Sequence, residues 1–208
     1  MEEAIHWLGT QHPSSNTVPL LTSSAGFKPA SVTYTSDNNF GKLYTLAEKL
    51  IELGKAYICY CSKEDITLQR AGKEGKGGPR FRCKHADQDM ATNLLKFRAM
   101  RDGNYEPGSA ILRMKQDIEN PNPQMWDLAA YRVVSGDHPH HRTGSKWKIY
   151  PTYDFAHCLC DSLEGITHSL CTREFVLSRE SYEWLNNTLG VHEPGQREFG
   201  TLKVPYFP

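Results

Sequence analysis

IYPTYDFAHCLCDSLEGITHSLCTREF, residues 149–175, is the stretch whose reading decides the fold class. It opens with a strand pattern ending near Tyr150. A helical pattern follows from about Asp154 to Leu163, and then an extended stretch, ITHSLCTREF. A further helix is expected from about Ser178 to Leu189, stopped by Gly190. Strand, helix and strand in that order predict half of a parallel α/β sheet. Ligands of such sheets gather at the carboxyl ends of the strands, which points to residues 150–153 and to the SLCT turn at 169–172.

Working upstream, Ser36 or Asp37 is placed to cap a helix in which Leu43, Leu46, Ala47, Leu50 and Ile51 recur at three-four spacing, with Gly54 closing it. Residues 57–61 read as a short strand, and the Gly/Lys-rich residues 71–78 as a mobile loop. In that loop no Gly-Lys pair is followed by Ser or Thr, so it is not a phosphate-binding P-loop. A second helix is expected over 89–101, with Met90, Leu94, Phe97 and Met100 on one face and Gly103 beyond its end. Strands at 110–115 and 129–134 flank the Pro-rich turn NPNPQMWD. Residues 1–9 read as the end of a helix, and 10–26, TQHPSSNTVPLLTSSAG, as loop or disorder.

The 208 residues carry a formal net charge of zero, so no global field announces a nucleic-acid partner. Local basic runs such as GKGGPRFRCKH remain as candidate footprints. The longest apolar runs fall far short of the roughly 20 residues a spanning helix needs, and the start, Met1-Glu2-Glu3, lacks a basic signal-peptide end. The six cysteines sit in CxC pairs or near His rather than spread as a framework, which predicts reduced thiols or metal ligands and a cytoplasmic protein.

The segment 149–175 closely resembles the active-site segment of class I glutaminyl-tRNA synthetases. CSKEDITLQR, FRAMRDGNYEPGSAILRMKQDIENPNPQMWDLAAYRV and HHRTGSKW are similar to the same family, so the resemblance covers residues 28 to about 198. Glutamyl-tRNA synthetases share HHRTG, KW and IYPTYDF but typically continue with a different text where this chain has HCLCDSLEGITHSLCT and ESYEWLNNTLGV. The resemblance implies activation of glutamine with ATP and Mg2+, then transfer to the terminal ribose hydroxyl of tRNA. It implies an α/β fold, part of a Rossmann-like catalytic domain interrupted by a mixed α/β acceptor-stem-binding insertion.

The corresponding division is 1–55, the end of the first half of the catalytic domain; 56–148, the insertion; and 149–208, a truncated second half. The resemblance also assigns residues. Tyr153 and His157 lie in the glutamine pocket, where a hydroxyl and a neutral imidazole can each donate or accept, as an uncharged amide requires. Gln196 matches another pocket position, and Thr172 and Leu202 match positions near ATP. Without the resemblance, such a Tyr and His more often serve as a half-buried packer and a satisfied core residue.

The sequence departs from the family in three ways. It holds neither a HIGH-type nor an MSK-type motif, and Thr201-Leu202 stands where the family has Arg-Leu. A hydroxyl replaces neither the charge nor the donor fork of a guanidinium, so the isolated chain is expected not to form glutaminyl-adenylate. Residues 10–26 interrupt an otherwise family-like WLG and FKPASVTYTSDN, which a lineage-specific insertion or a translated intron would each explain.

Cys59, Cys61, Cys83 and His85 form C-x-C, a gap of 21 residues, then C-x-H. Three thiolates and an imidazole make the ligand set of a closed structural zinc site, and the spacing resembles that of some glutamyl-tRNA synthetases. The alternative is that the cysteines pack as small hydrophobes. Arg70, Lys73, Lys76, Arg80, Arg82 and Lys84 are candidate contacts to the tRNA acceptor stem, with a solvated loop as the competing reading. His140, His141 and Arg142 are either phosphate contacts or a polar turn. Glutamine, ATP and tRNA are thus the expected partners, without membrane or DNA. The rival functions are a non-catalytic tRNA-binding fragment, a glutamyl-tRNA synthetase and a zinc-stapled structural module.

Overall fold

In a computed structural model of the chain, the described residues are 35–72, 77–136 and 139–200, the side chain of Asp37 excepted. The expectations for residues 1–26, Lys73, Lys76, Thr201 and Leu202 lie outside them.

Helix α1, Phe40–Glu52, buries Leu43, Ala47, Leu50 and Ile51 of the three-four stripe completely and Leu46 in part. Burying each such Leu or Ile contributes about 1.5–3 kcal/mol. Its start differs from expectation: a π-helical turn, Thr35–Asn39, precedes it, and the N-cap position falls on Asn39 rather than Ser36 or Asp37. Asn39 makes no side-chain bond to the helix end but donates to Glu164 Oε1 at 2.8 Å. At the other end Gly54, at φ +67°, lets Lys55 N return to Leu50 O at 3.0 Å, as an L side chain would resist.

Four strands, β1 (Ala56–Cys59), β2 (Ile111–Met114), β3 (Ala129–Val133) and β4 (Ile149–Pro151), form an antiparallel sheet in the order β1-β2-β3-β4. Between β1 and β2 run α2, Lys63–Gln69, and α3, Met90–Arg101. Helix α2 was not anticipated, although Ser62 and Asp65 form a capping box that the sequence displays. On α3, Asp89 caps Thr92 N at 2.9 Å, and Phe97 and Met100 enter the core while Met90 at the first turn stays exposed.

The expectation that β4 opens a parallel half-sheet is corrected. Tyr131 faces Pro151 and Val133 faces Ile149 in antiparallel register, so β4 completes the first sheet. The parallel pair is β5, His168–Thr172, with β6, Gly195–Phe199, joined through α5, Ser178–Leu189. SLCT is therefore strand, and the turn lies one residue later in the 3-10 segment Arg173–Phe175. Helix α4, Tyr153–Leu163, leads from β4 toward β5 and packs on α5. The main core runs from Phe40 and Leu43 through Leu112, Tyr131 and Phe155 to Leu185, and Tyr57, Cys59, Cys83 and Ala86 form a smaller second cluster. The architecture is mixed α/β, with its hydrophobic core shared across residues 148/149.

Behind the sheet, the fully buried Asp127 sits at φ +49° and gathers a network. Tyr57 OH, Arg82 Nε and Gln116 N each donate to its carboxylate at 2.9 Å, and Arg113 Nε donates to its backbone oxygen at 2.9 Å. A buried charge is tolerated only with such complete pairing.

Candidate functional site

Tyr153 begins α4 immediately after β4, and His157 follows one helical turn later on the same face. Their rings stack, with centroids 5.0 Å apart. Phe175, from the segment after β5, flanks Tyr153 at 5.6 Å, and Tyr182 of α5 meets the His157 ring edge-on at 5.5 Å. Gln196 enters from β6, where it pairs in register with Ser169 of β5. Tyr153, His157 and Gln196, distant in sequence, thus line one cleft together with Ser181 and Tyr182. The cleft is small, about 20 Å³, and the exposed Tyr153 ring forms part of its lining.

One wall of the cleft holds a buried polar group. Gln196 is 6% exposed, and its Oε1 has no hydrogen-bond partner among the described residues. Such an acceptor costs free energy unless a donor arrives. Behind His157, Asp161 lies 3.2 Å from Nε2, and Tyr182 OH donates to Asp161 Oδ2 at 3.0 Å. Ser169 Oγ is 3.4 Å from the same imidazole nitrogen. Burial pushes the Asp161 carboxyl upward, but hydrogen bonds from His157, Ser169 and Tyr182 hold it below the usual carboxylate range. Burial raises the Tyr153 phenol above its ordinary value, so it remains a neutral donor and acceptor at pH 7. Asp161, Ser169 and Tyr182 were missed by sequence reasoning. Only the His157-to-Asp161 spacing, four residues apart on a helix, offered a signal.

Thr172 is not among the cleft residues: it stands exposed at the C-terminal end of β5, opposite Phe199.

The second cluster is Cys59, Cys61, Cys83 and His85, whose ligand atoms all lie within 4.8 Å of one another. Cys59 and Cys61 flank the end of β1, and Cys83 and His85 sit at the start of the 3-10 segment Lys84–Asp87 beneath it. Cys59 Sγ and Cys83 Sγ are 3.7 Å apart, and His85 Nδ1 is 3.6 Å from both Cys61 Sγ and Cys83 Sγ. Tetrahedral zinc with Zn–S of ~2.3 Å and Zn–N of ~2.05 Å requires S···S near 3.8 Å and S···N near 3.6 Å. The donor set therefore fits a zinc ion in kind and in spacing. The hydrogen bond from Cys59 lowers the Cys83 thiol strongly and raises its own, so the pair holds one thiolate readily. Gln69 Nε2 donates to Cys61 Sγ at 3.3 Å, while its Oε1 accepts from the buried Arg113 at 2.8 Å.

Of the basic candidates, Arg70, Arg80 and Arg82 are engaged inside the protein. Arg70 donates to Trp126 O at 2.9 Å, Arg80 to Ile118 O and Glu119 O at 2.7 Å, and Arg82 to Asp127. They are neither a solvated loop nor free cations; their charge satisfies carbonyls and Asp127. Lys84 is exposed. His140 forms a tight turn, its Nδ1 accepting from Arg142 N at 3.2 Å and Thr143 N at 3.3 Å, with His141 stacked on it at 4.6 Å.

The family model described as "tRNA synthetases class I (E and Q), catalytic domain" matches residues 2–205. The "Glutamine--tRNA ligase protein virJ" of Hypocrea virens is 63% identical over 180 residues, covering 86% of this chain and 28% of that protein. The glutamine–tRNA ligase of Saccharomyces cerevisiae is 60% identical over 186 residues, 88% of this chain and 23% of that protein. This chain thus spans about a quarter of the length of these relatives. Among solved structures, a glutamate-tRNA synthetase from Elizabethkingia anophelis superposes with a TM-score of 0.50 at 17% identity, over 99% of this chain and 40% of that one.

Proposed function

We propose, on the premise that this chain belongs to the catalytic-domain family of class I tRNA synthetases for glutamate and glutamine, that it is the amino-acid-selecting section of a cytoplasmic glutamine–tRNA ligase. The observation that carries the reading is the convergence of Tyr153, His157 and Gln196 on one cleft whose polar wall holds an unpartnered acceptor. An uncharged carboxamide brings donors and an acceptor together and can match Gln196 Oε1, the Tyr153 hydroxyl and the His157 ring at once. A site that hydrogen-bonds its substrate rejects an analogue lacking those groups strongly.

In this reading ATP, bound with Mg2+, would supply an α-phosphorus to which the glutamine carboxylate bonds as the α–β phosphoanhydride bond breaks and pyrophosphate leaves. The chain's own residues hold the side chain so that the carboxylate meets that centre in line. Thr172 and Leu202 are the proposed ATP-side contacts, and the acceptor stem of tRNA rests on residues 56–148, the second of the three segments 1–55, 56–148 and 149–208. Among the candidate cations, Lys73, Lys76 and Lys84 carry the RNA-facing proposal, since the arginines serve the fold.

The test is nuclear magnetic resonance of the chain titrated with glutamine and with glutamate. Glutamine is expected to shift the Tyr153 and His157 resonances at concentrations where glutamate does not; silence of both rings toward glutamine would overturn the reading. Glutamine-dependent ATP–pyrophosphate exchange by the chain with added tRNA is expected to stay at the no-enzyme background. Exchange clearly above it would show that phosphate handling needs neither a HIGH-type nor an MSK-type motif here.

We infer further that Cys59, Cys61, Cys83 and His85 hold a structural zinc ion that ties β1 to the segment around residues 83–85. Three of their mutual spacings match a tetrahedral site, which packing of small hydrophobes would not demand. Protein purified without a polyhistidine tag is expected to carry about one zinc per chain. Less than about a tenth of an equivalent ends the proposal.

A further inference from the structure

The proposed glutamine cleft leaves one matter open: an imidazole can present either a donor or an acceptor to its ligand, and selection of an amide over a carboxylate depends on which. The surroundings of His157 decide it. Nε2 faces Asp161 Oδ2 at 3.2 Å from one turn further along α4. The same oxygen already accepts from Tyr182 OH at 3.0 Å, and Ser169 Oγ stands 3.4 Å from Nε2. An ionised carboxylate only accepts, so the ring nitrogen facing it carries the hydrogen; a lone pair there would be repelled. Nδ1 is left without a partner among the described residues, in a ring that lines the cleft and stacks on Tyr153.

We propose that Asp161 is a positioning residue for amino-acid choice: by accepting Nε2–H it locks His157 in the tautomer whose Nδ1 lone pair is offered to the cleft, where it accepts a hydrogen from the substrate carboxamide. The inference rests on the glutamine reading and deepens it. Glutamine brings an N–H to that lone pair. The side chain of glutamate at neutral pH brings only further lone pairs and negative charge, so the same ring repels it. Tyr182 extends the device, since its hydroxyl donates to the same carboxylate oxygen that faces the ring and so helps hold that oxygen in place. Orientation of an imidazole through the partner of its other nitrogen is a general way to set which nitrogen is free.

The experiment is a long-range 1H–15N correlation spectrum of the uniformly 15N-labelled chain at neutral pH, with the His157 ring assigned by its disappearance in His157→Gln. The expected result has two well-separated nitrogen signals, protonated Nε2 and unprotonated Nδ1, with Nδ1 moving upfield on addition of glutamine and not of glutamate. Asp161→Leu is expected to bring the two nitrogens toward a common averaged shift, while Tyr182→Phe leaves them separate. A ring protonated on Nδ1, or averaged, in the unsubstituted chain overturns the proposal, and that spectrum decides by itself if Asp161→Leu does not fold. A still Nδ1 beside Tyr153 resonances that respond to glutamine also overturns it, while leaving the glutamine reading in place. If neither ring responds to glutamine, that reading falls and takes this inference with it.

Discussion

The antiparallel sheet and the parallel pair of strands are built to different rules. In β1 every residue is buried, and β2 places Leu112, Arg113 and Met114 inside, so the sheet is covered on both faces. One face meets the core of α1 and α3; the other meets the network around Asp127 and the cysteine cluster. In β5 and β6 burial alternates: Ser169 and Gln196 point in, while Leu170 and Phe199 stand 66% and 58% exposed. The first region has its stability invested in charge networks and packing. The second is a two-stranded edge whose inward side chains are polar and serve the cleft. The contrast teaches that the cleft takes Gln196 from the less buried pair of strands, while Tyr153 and His157 reach it on the helix that follows the more buried sheet.

The largest test of that contrast is Asp127→Ala. The carboxylate is fully buried and accepts from Tyr57, Arg82 and Gln116, so its removal strands a phenol, a guanidinium and a backbone N–H. Truncating one partner of a buried pair costs about 3–5 kcal/mol. A denaturant midpoint lowered accordingly, without change of slope, is the expected outcome. A loss below about 1 kcal/mol would place the network among exposed pairs of little worth.

Arg179→Ala is the intermediate case, because it probes the weaker region. Arg179 Nε donates to Glu198 Oε1 at 2.7 Å, and its Nη2 pairs with the other carboxylate oxygen, so α5 is clamped to β6 by a fork. The guanidinium is partly exposed, and its removal is expected to cost only about 1 kcal/mol. Hydrogen exchange is the sharper reading: protection should fall at β5 and β6 and stay unchanged at β1, β2 and β3. Equal loss in both sheets would erase the distinction drawn between them.

The same contrast explains what could be read in the sequence. Helices with an apolar stripe or a following glycine were legible within a few residues: α1 from Leu43, Ala47 and Leu50, and α5 from its stop at Gly190, which adopts φ +63°. The three longer antiparallel strands were legible as apolar runs. Helix α2 was hidden because KEDITLQ has no apolar stripe, and only its capping box marks it. Strand β6, GQREF, was hidden because it lacks β-branched residues and is held by its neighbour rather than by propensity. Strand β4 was placed in the wrong sheet, since a three-residue strand carries no pairing information of its own. Tyr153, His157 and Gln196 were named through family resemblance, and the structure brings them together. Asp161, Ser169 and Tyr182 escaped because hydrogen bonding across helices and strands leaves no local pattern. That Arg70, Arg80 and Arg82 also bond inside the protein was not legible, because a charge count cannot tell a cation facing solvent from one bonded to backbone carbonyls.

The smallest effect should come from Leu170→Lys. Leu170 lies on the outward face of β5 at 66% exposure, opposite Arg197 in the parallel register, and the residue after it, Cys171, faces the other side. Little apolar area is lost from a buried state, so stability should change by no more than about 0.5 kcal/mol in either direction. An exposed Leu beside Phe199 on a sheet edge is, however, a surface on which copies of the chain can pair. A charge there should reduce concentration-dependent self-association in sedimentation velocity while the denaturant midpoint stays fixed. A stability loss of more than about 2 kcal/mol would mean that Leu170 belongs to a core, and the division between a buried sheet and an open one would then be wrong.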